Sequence, residues 1–154
     1  MLVDVERRPV IARLPEGHAR LRVLSGPQNE YFAPEALEVL QSAPYAISNA
    51  SDRMGFRLEG PQLRHTRGAD IISDATPLGG LQVPASGQPI LLMADRQTSG
   101  GYPKIAIVIS ADIGIAGQLG PGDTISFSVC SLREALGALI AEERAMMALE
   151  APPL

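Results

Sequence analysis

Short apolar segments separated by glycine- or proline-containing turns constrain the fold of this chain more than any other feature. The 154 residues include 15 Gly and 13 Pro, a density that favours short strands over long helices. Apolar and polar residues alternate strictly at 54–59 and again at 125–130. A period of two places one face of a strand in the core and the other in solvent. The pattern predicts a mainly β fold, a closed or nearly closed, mainly antiparallel β-barrel.

Two helices are expected to flank this barrel. Pro34 favours the start of a helix that runs to Ser42. Near the other end of the chain, Ser131 and Glu134 have the spacing of a capping box, which predicts a helix to about residue 149. Residues 111–119 are typical of a short helix or helical turn. The sequence leaves open whether the apolar stripe of the last helix packs on the barrel or on a partner. The stripe consists of Leu132, Leu136, Leu139, Ile140 and Met147.

Length and charge limit the domain organisation and the classes of partner. A chain of 154 residues suits one domain with a single core. We interpret the polar, irregular residues 1–18 as a linker or tail and residues 19–150 as the domain. The net charge of −4 argues against a nucleic-acid groove, which needs clustered cations. No segment has the length of a membrane span or of a signal-peptide core, so a cytoplasmic protein without membrane contact is expected.

Several kinds of site lack the residues they require. Cys130 is the single cysteine, which excludes an internal disulfide and a thiolate cluster made by this chain alone. His18 and His65 lie far apart in sequence without metal-ligand spacing, so no metal site is expected. The chain has neither a P-loop nor a GxGxxG motif after a strand. We therefore expect no cofactor to be bound by this domain itself.

Residues 94–110, ADRQTSGGYPKIAIVIS, combine both charge signs, an amide and a phenol in one loop between two apolar segments. A polar loop on rigid strands is where functional sites are often found, although an ordinary hairpin with a solvated tip is the alternative. Further polar groups occur upstream, and they include Asp74, Gln82 and Gln88. Together these side chains suit a small substrate with an amide and a carboxylate. Arg or Lys would pair with the carboxylate, Gln would bind the amide, and Asp would accept a proton.

Four segments of the chain resemble a known family in the same order: RVLSGPQNEYF, SDRMGFRLEGPQL, GGLQVPASGQPILLMADRQ and ADRQTSGGYPKIAIVISADIGIAGQLGPGD. The chain is similar to the allophanate hydrolase subunit 2 family, also called the biotin-dependent carboxyltransferase or 5-oxoprolinase C-subunit family, with its KipA-type members. The resemblance runs from Arg20 to Val129 and corresponds to the carboxy-terminal half of the family. Residues 75–80 depart from the family pattern.

The resemblance implies a cyclophilin-like barrel and a subunit that is active only in a complex. The companion would be of the allophanate hydrolase subunit 1 (KipI-like) type, and the substrate a small amide or lactam such as urea or 5-oxoproline. ATP or carboxybiotin would be supplied through partner subunits. An alternative is a non-catalytic regulatory domain that binds a KipI-like partner of a sensor kinase.

The resemblance also implies roles for individual residues. By position in the motifs, Arg57, Asp95 and Lys104 are expected to be catalytic. Arg53, Arg96, Gln97 and Tyr102 are expected to bind substrate, and Gln88 is expected to do so as one of the amide groups noted above. We expect Arg57, Asp95, Arg96, Gln97 and Lys104 to converge on one cleft. We also expect Lys104 to be a loop-edge charge whose removal leaves the fold intact.

Overall fold

Seven strands of the computed structural model, which describes residues 14–150, close into a barrel. The strands in chain order are β1 His18–Ser25, β2 Tyr45–Ile47, β3 Gly55–Glu59, β4 Asp74–Ala75, β5 Gly80–Gln82, β6 Ile90–Leu92, β7 Ser99–Gly100, β8 Lys104–Val108 and β9 Thr124–Val129. The helices are α1 Ala36–Ser42, α2 Ser110–Ala116 and α3 Leu132–Glu150. The order around the barrel is β1-β8-β5-β6-β3-β2-β9.

The barrel is mixed, with one parallel contact that closes it. β1 runs parallel to β9, from His18 opposite Thr124 to Val23 opposite Val129. The other neighbouring strands of the barrel are antiparallel. Closure leaves no free sheet edge in the barrel wall. The predicted fold class, a mainly antiparallel barrel, is therefore confirmed.

Alternating side chains of the strands fill the barrel. On β3, Phe56 and Leu58 are buried in the core cluster while Arg57 is exposed. On β9, Ile125 and Phe127 belong to the same cluster. The period-two pattern is thus correct for these four core residues. It fails at its outer positions, because Met54, just before β3, and Val129, the last residue of β9, are 43% and 40% exposed. The outward-facing positions are available for a site.

Residues 14–150 form three α-helices where two were expected to flank the barrel. The segment 111–119, expected to form a short helix or helical turn, contains α2. Its Asp112 is 2% exposed, and its carboxylate accepts hydrogen bonds from the backbone N–H and the guanidinium of Arg22 on β1. This hydrogen bonding raises the pKa of Arg22. The pair therefore fastens α2 to the barrel.

The last helix begins at its predicted capping box but leaves much of its apolar stripe in solvent. Ser131 N–H donates to Glu134 Oε2 at 2.7 Å, and Glu134 N–H donates to Ser131 Oγ at 3.2 Å. Four apolar side chains of the stripe are exposed, Leu132, Leu136, Ile140 and Met147. The capping box is confirmed, and the barrel does not cover the stripe.

β4 and β7 form a separate two-stranded sheet, which we call the ribbon. Asp74 pairs with Gly100 and Ala75 with Ser99. Residues 99 and 100, expected to lie in the polar loop, form β7 instead. Two-residue strands carry no periodicity, so only their pairing reveals them.

The predicted linker or tail, residues 1–18, lies largely outside the described residues. His18 is already the first residue of β1.

Candidate functional site

A cleft of about 250 Å³ lies against the outer face of the barrel wall. One wall of the cleft is a row of side chains from three neighbouring strands: Arg57 on β3 and Gln82 on β5 are both in register with Ile90 on β6. Side chains in register on neighbouring strands project from the same face. These positions alternate with core residues, so the row faces outward.

The ribbon and the loop before β3 form the other walls of the cleft. Thr76, Ser99 and Gly100 line it from the ribbon side, and Gln97 lies in the segment that leads into β7. Across the cleft, Asp52 Oδ1 accepts hydrogen bonds from the backbone N–H groups two and three positions further along the chain, at 2.8 and 3.2 Å. The local turn is thereby fixed before β3 begins.

Gln82 is the most unusual group in the cleft. The residue is 7% exposed, and its Nε2 has no hydrogen-bond partner within the described residues. Buried polar atoms in folded proteins almost always have partners. Gln88 provides the contrast, because its Oε1 accepts from Gly60 N–H at 2.8 Å and its Nε2 donates to Gly60 O at 3.1 Å. Gln88, predicted to bind substrate, thus has its amide engaged by backbone at both ends.

Arg57 carries a positive charge at the rim of the cleft. The side chain is exposed, and within residues 14–149 its guanidinium has no hydrogen-bond or ion-pair partner. Its backbone N–H donates to Ser51 Oγ at 2.9 Å, which holds the strand end against the preceding loop. The guanidinium can therefore bind an acidic ligand without first breaking an ion pair.

Lys104 is buried rather than at a loop edge, so that prediction is wrong. Its side chain is 1% exposed, and Nζ lies 3.3 Å from Asp74 Oδ2 on the ribbon. Gln28 completes the cluster: its Nε2 donates to Asp74 Oδ2 at 3.1 Å, and its Oε1 accepts from Lys104 N–H at 3.1 Å. Hydrogen bonds from Ala75 N–H, Gln28 and Lys104 lower the pKa of Asp74. This cluster, Gln28, Asp74 and Lys104, ties the ribbon to β8 and is called the anchor below.

Asp95 pairs with Arg53 outside the cleft. Its Oδ2 lies 3.0 Å from Arg53 Nε, and the two side chains are 51% and 82% exposed. Arg53 lines a second, more apolar cleft of about 380 Å³, which also includes Phe56 and Met93. An exposed pair of this kind is screened by solvent.

The five residues expected to converge do not all reach the same cleft. Arg57 and Gln97 line it. Arg96 is one contact away, because its Nε donates to Thr76 O at 2.7 Å. Asp95 and Lys104 are not among the lining residues. Tyr102, predicted to bind substrate, is 41% exposed and also lies outside the lining.

A family model described as carboxyltransferase domain, subdomain A and B, matches residues 4–129. The chain belongs to this family. The match confirms the resemblance read from the four motifs, and it extends over β1 to β9.

The relatives that match this carboxyltransferase domain are much longer proteins. It is 42% identical to the C-subunit of 5-oxoprolinase from Escherichia coli over 125 residues, which are 81% of this chain and 40% of that protein. It is 26% identical to urea amidolyase of Saccharomyces cerevisiae over 146 residues, 88% of this chain and 8% of that one. The chain thus spans two fifths or less of these relatives.

The crystal structure of Kluyveromyces lactis urea carboxylase has the same fold. The TM-score is 0.82 at 24% identity, over 90% of the carboxyltransferase domain described here and 14% of that protein. At this identity the likeness supports the barrel architecture alone.

Across the described residues, no helix has the length and apolar character that a bilayer crossing requires. Nor do residues 14–149 bring together three or more metal-ligating side chains.

Proposed function

We propose that the cleft binds a small lactam or amide that also carries a carboxylate, as part of a multi-subunit enzyme of the 5-oxoprolinase or urea carboxylase type. The exposed Arg57 guanidinium at the rim carries the proposal, because it is poised to pair with an anion. 5-Oxoproline has a carboxylate and urea has none, so 5-oxoproline is favoured. The identity with the 5-oxoprolinase C-subunit supports the same choice.

Binding by Arg57 would orient the substrate on the outer wall of the barrel. A guanidinium can hold a carboxylate by two parallel hydrogen bonds, which fixes orientation as well as position. Gln97 and Ser99 line the same cleft and can donate or accept further hydrogen bonds. The role of this domain would then be to position the substrate for chemistry completed with companion subunits.

The anchor stabilises this arrangement by holding the ribbon to β8. Lys104 Nζ lies 3.3 Å from Asp74 Oδ2, and the Lys104 side chain is 1% exposed. We therefore assign Lys104 a positioning role and do not expect it to contact the reacting atoms. Asp95 is engaged by Arg53 away from the cleft. The geometry therefore supports Arg57, among the three residues predicted to be catalytic, as the one that contacts substrate.

Partners would supply the remaining chemistry. The sequence has no P-loop, so ATP or carboxybiotin would come through companion subunits. We propose a companion of the allophanate hydrolase subunit 1 type, because the named bacterial relative is itself a subunit. The exposed apolar side chains of α3 offer a surface for such a contact.

A ligand titration tests the proposal. The purified full chain is titrated with 5-oxoproline, with 2-pyrrolidinone, which is the same lactam without the carboxylate, and with urea, using NMR shifts. We expect 5-oxoproline to bind most tightly, and Arg57→Gln to weaken it about tenfold or more. The matched control is Arg20→Gln, an exposed arginine on β1 outside the cleft lining. Failure of all three compounds to bind would overturn the proposal.

The exposed α3 surface also favours a second candidate, a non-catalytic regulatory domain that binds a KipI-like partner. The two functions differ in what they require of the cleft. If the domain is regulatory, wild type and Arg57→Gln should bind the partner and exert the regulatory effect equally well. If the domain binds substrate, Arg57→Gln should still bind the partner but lose turnover in the assembled complex. Co-purification together with a turnover assay of the two proteins separates these outcomes.

A further inference from the structure

We infer that Gln82 determines specificity in the cleft by donating a hydrogen bond from Nε2 to a carbonyl oxygen of the ligand, and that Gly100 is the positioning residue that leaves room for this amide. The inference rests on the proposed function, because it concerns the same cleft. It goes further by assigning the group that recognises the carbonyl.

The first observation is the missing partner of Gln82. Nε2 is buried without a hydrogen bond among the described residues, and leaving a donor in this state is unfavourable. Gln82 also lines the cleft. A ligand oxygen in the cleft would satisfy the amide. An ammonium group would not, because it has no acceptor.

The second observation is the placement of Gln82 relative to Arg57. Both residues are in register with Ile90, one on either side of β6. Two inter-strand spacings separate their backbones by roughly 10 Å. The cleft therefore has a carboxylate-binding cation near one side and a carbonyl-binding amide near the other. A small lactam acid presents acceptors of both kinds.

The third observation concerns Gly100 on the ribbon. A Cβ at this position would lie 2.6 Å from Gln82 Nε2 and 3.1 Å from Thr76 Cγ2. Gly100 is not among the described glycines with positive φ, so the need for glycine is one of space and not of backbone conformation. Any larger residue would displace the amide from its place in the cleft. The anchor holds the ribbon, and hence Gly100, in this position.

The test compares ligands that differ by single groups, using the full chain. Gln82→Met keeps a long side chain but removes the donor. We expect it to weaken 5-oxoproline and 2-pyrrolidinone about 3–10-fold, and to leave L-proline, which lacks the ring carbonyl, unchanged. Because the amide has no partner in the unliganded protein, Gln82→Met is expected to unfold at the same or higher denaturant concentration. A merely structural role would lower that midpoint.

Gly100→Ala provides the second variant. The added methyl should displace the amide and weaken 5-oxoproline to a similar extent. In the double variant, Gly100→Ala and Gln82→Met, the losses should not add, because both remove the same contact. Additive losses would overturn the role of Gly100. The matched control is Gln118→Met, an exposed glutamine outside the cleft lining, which should bind as wild type.

The outcomes distinguish this inference from the proposed function. If wild type binds the lactams and Gln82→Met binds them within about twofold of wild type, Gln82 does not recognise the carbonyl, while the proposed function stands. Equal weakening of all three ligands also overturns the inference. If wild type binds none of the lactams, the proposed function fails and the inference fails with it.

Discussion

Two ion pairs of similar length differ greatly in their exposure to solvent. Lys104 lies 3.3 Å from Asp74, and Arg53 lies 3.0 Å from Asp95. The Lys104 side chain is 1% exposed, whereas Arg53 is 82% exposed. Both pairs include a residue of the ADRQTSGGYPK motif that was predicted to be catalytic. Charge and motif position alone do not separate a buried anchor from a solvated surface pair.

The difference comes from what each partner is attached to. Asp74 is on the ribbon, so its pairing with Lys104 fixes one wall of the cleft to β8. Arg53 and Asp95 are on neighbouring turns, and both side chains reach solvent. We therefore expect the first pair to govern stability and cleft shape and the second to contribute little.

The largest effect is expected from Lys104→Ala. The change deletes a fully buried side chain and removes the Lys104–Asp74 contact between the ribbon and β8, so the free energy of unfolding should fall by about 2–4 kcal/mol. Chemical denaturation followed by circular dichroism measures the loss. Lys104→Met, which retains most of the buried volume, should lose clearly less. A Lys104→Ala protein as stable as wild type would instead support the prediction of a loop-edge charge.

Gln28→Ala tests the second member of the anchor. The amide of Gln28 accepts from Lys104 N–H and donates to Asp74, so its removal leaves a buried N–H without a partner. We expect a loss of about 1–2 kcal/mol in unfolding free energy. Gln62→Ala is the matched control, because Gln62 makes an exposed hydrogen bond to Ser86 O. Equal losses in the two variants would contradict the anchor.

The pH dependence of stability tests Asp74. Its pKa is lowered in the folded state below the ordinary value of 3.8. A lowered folded pKa contributes stability that is present above the ordinary value and is lost as the pH falls through the folded one. Asp74→Asn should therefore show a shallower loss of stability on acidification below about pH 4 than wild type. Denaturation midpoints measured from pH 2 to 7 check this prediction. If wild type and Asp74→Asn lose the same amount of stability on acidification, the assignment is wrong.

The smallest effect is expected from Arg53→Ala. Because both charges of its pair are well exposed, the free energy of unfolding should change by no more than about 0.5 kcal/mol. The comparison with Lys104→Ala, under the same denaturation conditions, is the direct measure of the difference between the two pairs. A loss as large as that of Lys104→Ala would remove the distinction between them.

Much of the fold follows from local pattern. The alternation identified the core residues Phe56, Leu58, Ile125 and Phe127, and the Ser131–Glu134 capping box marked the start of α3. The ribbon was not predictable in this way, because each of its strands has two residues. In the sequence, Gln82 is only one polar group among several. The close approach of Gly100 to its Nε2 is a tertiary contact that no sequence spacing reveals.

By itself, the sequence determined the barrel class, the family and the kinds of polar side chain near the cleft. Those features rest on local periodicity, turn residues and motifs that lie along the chain. The tertiary structure alone decided which of these polar groups are buried, paired or free. Burial depends on the register between distant strands, such as Gln82 opposite Ile90 and Asp74 opposite Gly100. A one-residue change in register would turn each of these side chains to the opposite face of its sheet.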